Sequence, residues 1–294
     1  MEIPLSFPSD GLKLSGVLHV PEGHKKGEQL PTFIVLHGFV GTKDKSHVEL
    51  VARMLDQMGY CVFRIDFRGC GESEGKRGEV RCFDQVADTR NAVTFISKRD
   101  EVDPDRIGVI GHSFGAAVGI FSGGVDDRIA CVVSLCGWGH GERKFRGQHP
   151  TPEAWEKFTG ILEEGRRHKA ETGESKWVSR FDVVPIPPEL RANLSPQAQF
   201  EIPVETAISM YNFRAEDVVA DIAPRPLLLF HTAGDVVTPM EQSISLFQKA
   251  GANAELMIPT GVSHFPLSEE DADHTRRLIG AWLEKFFPTP LGTG

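Results

Sequence analysis

The sequence of 294 residues contains no long apolar run. Its uninterrupted apolar stretches, such as Ile129–Val133, are far shorter than the roughly 18 residues that a membrane-spanning helix needs. The amino terminus, Met1–Ser6, has neither the basic nor the apolar region of a secretory signal, which predicts a cytoplasmic location. With 40% hydrophobic and 25% charged residues, the composition is unlike that of disordered or fibrous chains and predicts a soluble globular protein of one large or two small domains.

Cysteines and basic residues are also few. The five cysteines form an odd set with no Cys-x-x-Cys spacing. They predict buried thiols and neither a disulfide framework nor a structural metal site. With 32 Lys and Arg against 41 Asp and Glu, the formal charge is −9, which does not favour binding to phosphate backbones or anionic lipid. We therefore expect neither nucleic acid nor a membrane as a partner.

The chain does contain an alternation of short apolar runs and helical periods. Strand patterns at Ile3–Phe7 and Leu14–Val20 flank an Asp-Gly pair, which predicts an antiparallel hairpin at the start. Further along, continuous apolar runs such as Phe33–Leu36 alternate with amphipathic segments such as Ser46–Met58. This alternation is typical of parallel strands joined by right-handed crossover helices and buried on both faces.

The alternation stops after Gly137 and resumes near residue 215. The segment between, 138–214, holds three of the four tryptophans and a proline-rich run, and its basic and acidic residues balance. We predict a discontinuous α/β core, residues 1–137 and 215–294, with a mainly helical inserted cap at 138–214. An apolar insert on an acidic core would also suit a homodimer formed through the insert.

The pentapeptide Gly111–Gly115 matches the pattern Gly-x-Ser-x-Gly. Such a short match arises easily by chance, so its context matters. A predicted buried strand, Arg106–Ile110, runs into it, and a small-residue helix beginning near Ala116 runs out. That is the strand-turn-helix context of a nucleophile elbow. The pattern predicts that the hydroxyl of Ser113 stands above the sheet, at a helix amino terminus that favours developing negative charge.

At this point the sequence resembles the α/β-hydrolase family along most of its length. The matching segments are Leu36–Phe39, Arg64–Ser73, Gly111–Gly115, His231–Asp235 and Gly261–His264. Within the family it is most similar to serine carboxylesterases of the cinnamoyl and feruloyl esterase type. Dienelactone-hydrolase-like and prolyl-oligopeptidase-type catalytic domains are close to that group. The resemblance does not extend to the insert.

The resemblance implies an α/β-hydrolase fold, with a mostly parallel eight-stranded sheet and helices on both faces. It implies that Ser113 is the nucleophile, that His264 is its base and that Asp235 orients this base. It also implies an oxyanion hole made by the backbone N–H groups of Phe39 and Phe114. This chemistry needs no cofactor and no metal.

Each assignment has a structural alternative. Asp235 also suits a turn that begins a helix, and His264 also suits an ordinary surface loop. Three further histidines lie near strand ends and are interpreted as structural. We expect His37 to brace the oxyanion loop, His112 to pack within the elbow and His231 to support a strand end.

The sequence thus predicts a hydrolase of small-molecule carboxylic esters that works through an acyl-enzyme. An amidase or peptidase, or a carbon–carbon bond hydrolase, on the same triad is the alternative, and a non-catalytic small-molecule receptor is an alternative of another class. Specificity is expected in the insert above the nucleophile. The candidate pocket residues are Trp138, His140, Trp155, Phe158, Trp177, Met210 and Tyr211. For each of them, burial in the insert's own core is the competing interpretation.

Overall fold

A mixed eight-stranded sheet organises the part of the chain that the computed structural model describes, residues 1–194, 200–267 and 272–290. In chain order the strands are β1 (Glu2–Ser9), β2 (Leu12–His19), β3 (Leu30–Leu36), β4 (Cys61–Ile65), β5 (Val102–His112), β6 (Ile129–Leu135), β7 (Trp177–Ser179), β8 (Glu201–Pro203), β9 (Leu227–Phe230) and β10 (Ala254–Met257). The sheet has the order β1-β2-β4-β3-β5-β6-β9-β10, whereas β7 and β8 form a separate antiparallel pair. Pairing is antiparallel at β1–β2 and β2–β4 and parallel elsewhere in the sheet. The predicted mostly parallel sheet is confirmed.

Helices cover both faces of this sheet. In chain order, the α-helices of the described residues are α1 (Ser46–Gln57), α2 (Cys82–Ile96), α3 (Phe114–Val125), α4 (Gly141–Gln148), α5 (Pro152–Thr172), α6 (Arg180–Val183), α7 (Val204–Asn212), α8 (Glu241–Lys249) and α9 (Ala272–Phe286). Among the residues described, none of these helices is both long and apolar enough to cross a membrane.

Two hydrophobic clusters lie on opposite sides of the sheet. Successive residues of β3 alternate between them, with Ile34 in the cluster that contains α2 and α3 and Val35 in the cluster that contains α1 and α9. Since side chains of a strand point alternately to the two faces, a strand buried on both faces must be apolar at every position. This explains the continuous apolar runs of the sequence.

The segment between β6 and β9 packs directly onto the core. It carries α4 to α7 and the small β7–β8 sheet, and its buried side chains belong to the same hydrophobic cluster as α2 and α3. Side chains of α7 also complete the start of α2. Ser209 Oγ accepts the N–H of Cys82 at 2.9 Å, and Thr206 Oγ1 accepts the N–H of Val80 at 3.0 Å. The insert and the core therefore share one continuous interior.

Candidate active site

Ser113 lies at a strained turn between β5 and α3. Its φ is 53° and its ψ is −110°, in a region that non-glycine residues seldom occupy. The turn requires glycine on both sides. A Cβ atom on Gly111 would lie 2.3 Å from the carbonyl oxygen of Gly115, and one on Gly115 would lie 2.5 Å from the carbonyl oxygen of His37. The close approach of these backbones therefore explains the Gly-x-Ser-x-Gly pattern.

His264 and Asp235 form a hydrogen-bonded pair in loops at the same edge of the sheet. Asp235 follows β9, His264 follows β10, and His264 Nδ1 donates to Asp235 Oδ2 at 2.7 Å. The other carboxylate oxygen of Asp235 accepts the backbone N–H groups of Val237 and Thr238, both at 2.8 Å. These bonds fix the carboxylate and direct it at the imidazole.

Nearby charge and burial shift the pKa of Asp235 in opposite directions. Its side chain is fully buried, and burial alone would raise its pKa. The rings of His264 and His231 outweigh this effect, and the pKa of Asp235 lies well below its ordinary value. His231 Nε2 donates to the carbonyl oxygen of Thr238 at 3.0 Å and lies 3.4 Å from Asp235 Oδ2. The structure thus places His231, predicted to be structural, against the carboxylate.

Ser113 and His264 line one cavity at the carboxyl edge of the parallel strands. The core side of the cavity comes from the loop after β3, the start of α1, the elbow and the loops after β9 and β10. Those residues are Gly38, Phe39, Gly41, Lys45, His47, His112, Ser113, Val237, His264 and Phe265. The structure therefore brings the predicted nucleophile and the predicted base to one solvent-accessible space.

The two candidate oxyanion donors belong to Phe114, which follows Ser113 directly, and to Phe39 in the loop after β3. Phe114 is the first residue of α3, and Phe39 follows β3 with its ring centroid 5.8 Å from that of Phe114. Gly38 lies against the elbow, because a Cβ atom there would be 3.8 Å from Ser113 Cβ. No backbone hydrogen bond within the described residues uses the N–H of Phe39 or Phe114. Both groups are therefore available as donors near Ser113.

His37 holds the loop that carries Phe39. Its Nδ1 donates to the carbonyl oxygen of Gly38 at 2.8 Å, and its Nε2 accepts the N–H of Phe67 at 3.2 Å. Burial lowers the pKa of His37, so that the neutral ring with its proton on Nδ1 is favoured. The sequence interpretation of His37 as a brace for this loop agrees with these contacts.

His112 contacts two other histidines, His47 and His264. His112 Nε2 donates to the carbonyl oxygen of His264 at 2.8 Å, and its ring lies 4.9 Å from that of His47. Burial, together with the nearby His264, lowers the pKa of His112 to about 3. Burial likewise holds the pKa of His47 well below its ordinary value. Both rings are therefore neutral at pH 7, and His112 positions the loop of the candidate base.

The insert contributes to the cavity through a short stretch after α5. Its lining residues are Arg180, Val184, Ile186, Asn193 and Leu194. These five residues are not among those predicted from the sequence. One signal in the sequence was Arg180, a charged residue close to the apolar residues Val178 and Phe181.

The seven residues predicted for the pocket are not among the described residues that line this cavity. Trp138, Phe158 and Met210 are buried in the cluster that the insert shares with the core. His140 accepts the N–H of Arg143 at the start of α4, and Trp177 is 42% exposed in β7. Trp155 and Tyr211 pack at the edge of that cluster. These residues bury apolar area or cap a helix, and none of the seven lines the cavity as described.

Two clusters of potential metal ligands occur among the described residues. One consists of Cys136, Asp235 and His264, and the other of Asp44, Asp66 and Glu72. In the first, the carboxylate and the imidazole bind each other. In the second, Lys43 Nζ donates to all three carboxylates, at 2.9, 3.0 and 2.7 Å respectively. Both clusters are thus satisfied by their own hydrogen bonds and ion pairs.

The strained serine between a parallel strand and a helix, with a histidine and a carboxylate at the same sheet edge, defines the chain as an α/β hydrolase. A family profile described as "Serine aminopeptidase, S33" matches residues 27–271, and the chain belongs to that family. The predicted membership of the α/β-hydrolase family is confirmed.

Three similar proteins show how far the likeness extends. Acyltransferase drtE from Aspergillus calidoustus is 27% identical over 258 residues, which is 82% of this chain and 82% of that protein. The α/β hydrolase GrgF from Penicillium sp. sh18 superposes with a TM-score of 0.80 at 22% identity, covering 97% of this chain and 99% of that one. Est1E from Butyrivibrio proteoclasticus, solved with ferulic acid bound, superposes with a TM-score of 0.70 at 20% identity, covering 96% of this chain and 98% of that one. At these identities the two structures establish a common fold.

Proposed function

We propose that the protein hydrolyses carboxylic esters of small molecules through a covalent acyl-enzyme. The observation that carries this proposal is the shared cavity of Ser113 and His264, with His264 held at 2.7 Å by the buried Asp235. A serine hydroxyl needs such a base to attack a carbonyl at neutral pH, and the base needs a third group to fix its tautomer.

In the proposed mechanism Ser113 Oγ attacks the ester carbonyl while His264 Nε2 takes its proton. The oxyanion is stabilised by the N–H groups of Phe39 and Phe114 and by the amino terminus of α3. His264 then gives the proton to the leaving alcohol, and Asp235 stabilises the imidazolium formed in between. Water then attacks the acyl carbonyl while His264 takes its proton. As the bond between this carbonyl and Ser113 Oγ breaks, His264 gives the proton to Ser113 Oγ and the acid leaves. The cycle uses only side chains and backbone groups of this chain.

The insert, residues 138–214, acts in this proposal as a cap over the nucleophile. Its residues Arg180, Val184, Ile186, Asn193 and Leu194 face the same cavity as Ser113. The cap would then set the shape and polarity of the acyl or alcohol site, while the core supplies the reacting groups.

Other uses of the same triad are the competing proposals. An amidase or peptidase would protonate an amine instead of an alcohol, and a carbon–carbon bond hydrolase would expel a carbanion equivalent. The similarity to a protein named an acyltransferase supports a further variant, in which an acceptor other than water takes the acyl group. A receptor without catalysis is the alternative of another class, and it has no need of an aligned Asp235–His264 pair.

A fluorophosphonate probe tests the nucleophile directly. We expect the probe to label the wild-type protein and the Ser6→Ala variant, whose substitution lies on the exposed face of β1, and to leave Ser113→Ala unlabelled. Equal labelling of Ser113→Ala, or none of the wild type, would show that Ser113 is not the nucleophile. Rates on aryl esters, feruloyl esters, anilides and a vinylogous diketone then separate the reaction classes. Turnover of the diketone alone would exclude the esterase proposal.

A further inference from the structure

One buried cation in the cavity has no part in the proposed chemistry. Arg180 is 1% exposed and begins α6, where the insert meets the loop after β3. Its Nη2 donates to the carbonyl oxygen of Phe39 at 3.2 Å. Its Nε and Nη1 have no hydrogen-bond partner among the residues described. These two atoms carry three of the five N–H groups of a guanidinium, so most of its donors are unused.

Arg180 also lacks a counter-ion within the described part of the chain. Its near neighbours are ring faces, with the Phe39 centroid at 5.2 Å and the Phe181 centroid at 5.8 Å. The nearest acid in sequence, Asp182, pairs instead with Lys157. Burial lowers the pKa of Arg180 to about 10, which leaves it charged at neutral pH. A buried charge without a partner is unfavourable, so an anion brought by a ligand would be bound strongly there.

The other described residues that line the cavity are cationic or neutral. None of its described lining residues is Asp or Glu, and Lys45 provides a second positive charge. Burial lowers the pKa values of His47 and His112, so these rings add no charge at pH 7. The described lining of the cavity is thus positive in a chain whose net charge is −9. The overall charge disfavours anions in general, whereas this cavity favours one anionic group at a defined position.

The geometry points to Arg180 as a specificity-determining residue that pairs with a carboxylate of the substrate. The substrate class is then a short ester or thioester that carries a second, ionised carboxyl group. Nη2 has two hydrogens and donates one of them to Phe39. One edge of the guanidinium, with two parallel N–H groups, is therefore free to bind both oxygens of a carboxylate. Val184, Ile186 and Leu194 line the same cavity and suit a hydrocarbon spacer between the two carbonyl groups. This inference rests on the proposed function.

Matched substrate pairs test the inference. The monoethyl esters of succinic, glutaric and adipic acid place a carboxylate on the acyl side, and acetate esters of glycolic and 3-hydroxypropionic acid place it on the alcohol side. Each is compared with the ester in which the carboxylate is replaced by a primary amide of nearly equal shape. The readout is the ratio of kcat/KM for the acid to kcat/KM for the amide.

We expect this ratio to be about 10 to 100 for at least one pair. This is the range that a hydrogen bond to a charged group contributes to binding. Arg180→Gln should bring the ratio to about 1, and Arg180→Lys should retain part of the preference. Arg166→Gln is the matched control, because it removes an exposed arginine of the same insert, in α5, that does not line the cavity as described. It should keep the wild-type ratio. A purely structural role of Arg180 would change both rates together and leave the ratio unchanged.

A binding measurement separates this inference from the proposed function. In Ser113→Ala, which has no nucleophile, calorimetry compares the affinities of the same acid and amide, with and without Arg180→Gln. If Ser113 is labelled and both esters react without an acid preference in any pair, the anion site is wrong and the esterase proposal stands. If no ester reacts but the acid still binds more tightly through Arg180, the proposed function fails and the anion site stands. Equal binding of acid and amide overturns the anion site in either case.

Discussion

The buried ring of His112 should make the protein lose stability in mild acid. Burial and the adjacent His264 lower the pKa of His112 to about 3 in the folded protein, whereas in the unfolded chain the pKa is about 6.5. The stability that the neutral ring contributes is therefore fully present above pH 6.5 and is lost as the pH falls towards 3, because only the unfolded state takes up the proton. The groups that face this ring are His47, His264, His231 and Asp235.

The loss of stability that His112 causes at pH 5 comes almost entirely from protonation of the unfolded state. With a pKa of about 6.5, proton uptake there stabilises the unfolded chain by about 2 kcal/mol relative to pH 7.5. The folded state contributes almost nothing, because pH 5 is well above its own pKa. Replacing His112 by a side chain that does not titrate should remove these 2 kcal/mol from the pH dependence, whatever the substitution does to stability at pH 7.5.

Urea denaturation followed by tryptophan fluorescence measures this difference. The free energy of unfolding is determined at pH 7.5 and pH 5 for the wild type and for His112→Gln. The fall in stability between the two pH values should be about 2 kcal/mol smaller in the variant. His274→Gln, which removes an exposed histidine of α9, is the control and should behave as the wild type. If His112→Gln and the wild type lose the same stability, the burial argument for His112 is refuted.

Two further predictions concern the candidate base and the elbow. Asp235→Asn should fold normally and lower kcat about 10⁴-fold, because the amide would turn an N–H towards His264 and favour the wrong tautomer; a loss below tenfold, measured with an aryl ester, would argue against the triad. Gly115→Ala should destabilise the fold by about 1–3 kcal/mol, because its Cβ would lie 2.5 Å from the carbonyl oxygen of His37. Gly160→Ala, in the middle of α5 with open space around the added atom, should instead stabilise it by about 0.5–1 kcal/mol. Equal effects of the two alanines in urea denaturation would contradict the steric explanation.

The fold and the elbow could be predicted because their causes are local in the sequence. Strands buried on both faces must be continuously apolar, as in β3, and the turn at Ser113 leaves room only for glycine at positions 111 and 115. Asp235 and His264 were predicted from the resemblance to α/β hydrolases, which place the acid and the histidine in loops after strands of the sheet.

The cavity wall could not be predicted in this way. Arg180 touches Phe39 across 141 residues of sequence, and nothing in the local pattern of either residue indicates that contact. Tryptophan content misled the interpretation of the insert, because a large aromatic side chain suits a hydrophobic interior as well as a binding site. Trp138 and Phe158 are buried in the hydrophobic interior. Residues in and next to the proline-rich run, such as Val184 and Ile186, line the cavity instead.

The bonds from α7 to the start of α2 bear on how such hydrolases could be recombined. Ser209 and Thr206 of the insert accept backbone N–H groups of the core, and Cys82 would lose a partner if the insert were exchanged for another. A chimera that grafts a foreign insert onto this core must therefore supply equivalent hydroxyl groups, or carry the residue 80–82 turn along with the graft. These hydrogen bonds extend the unit for domain exchange beyond the insert, residues 138–214, to residues 80–82 of the core.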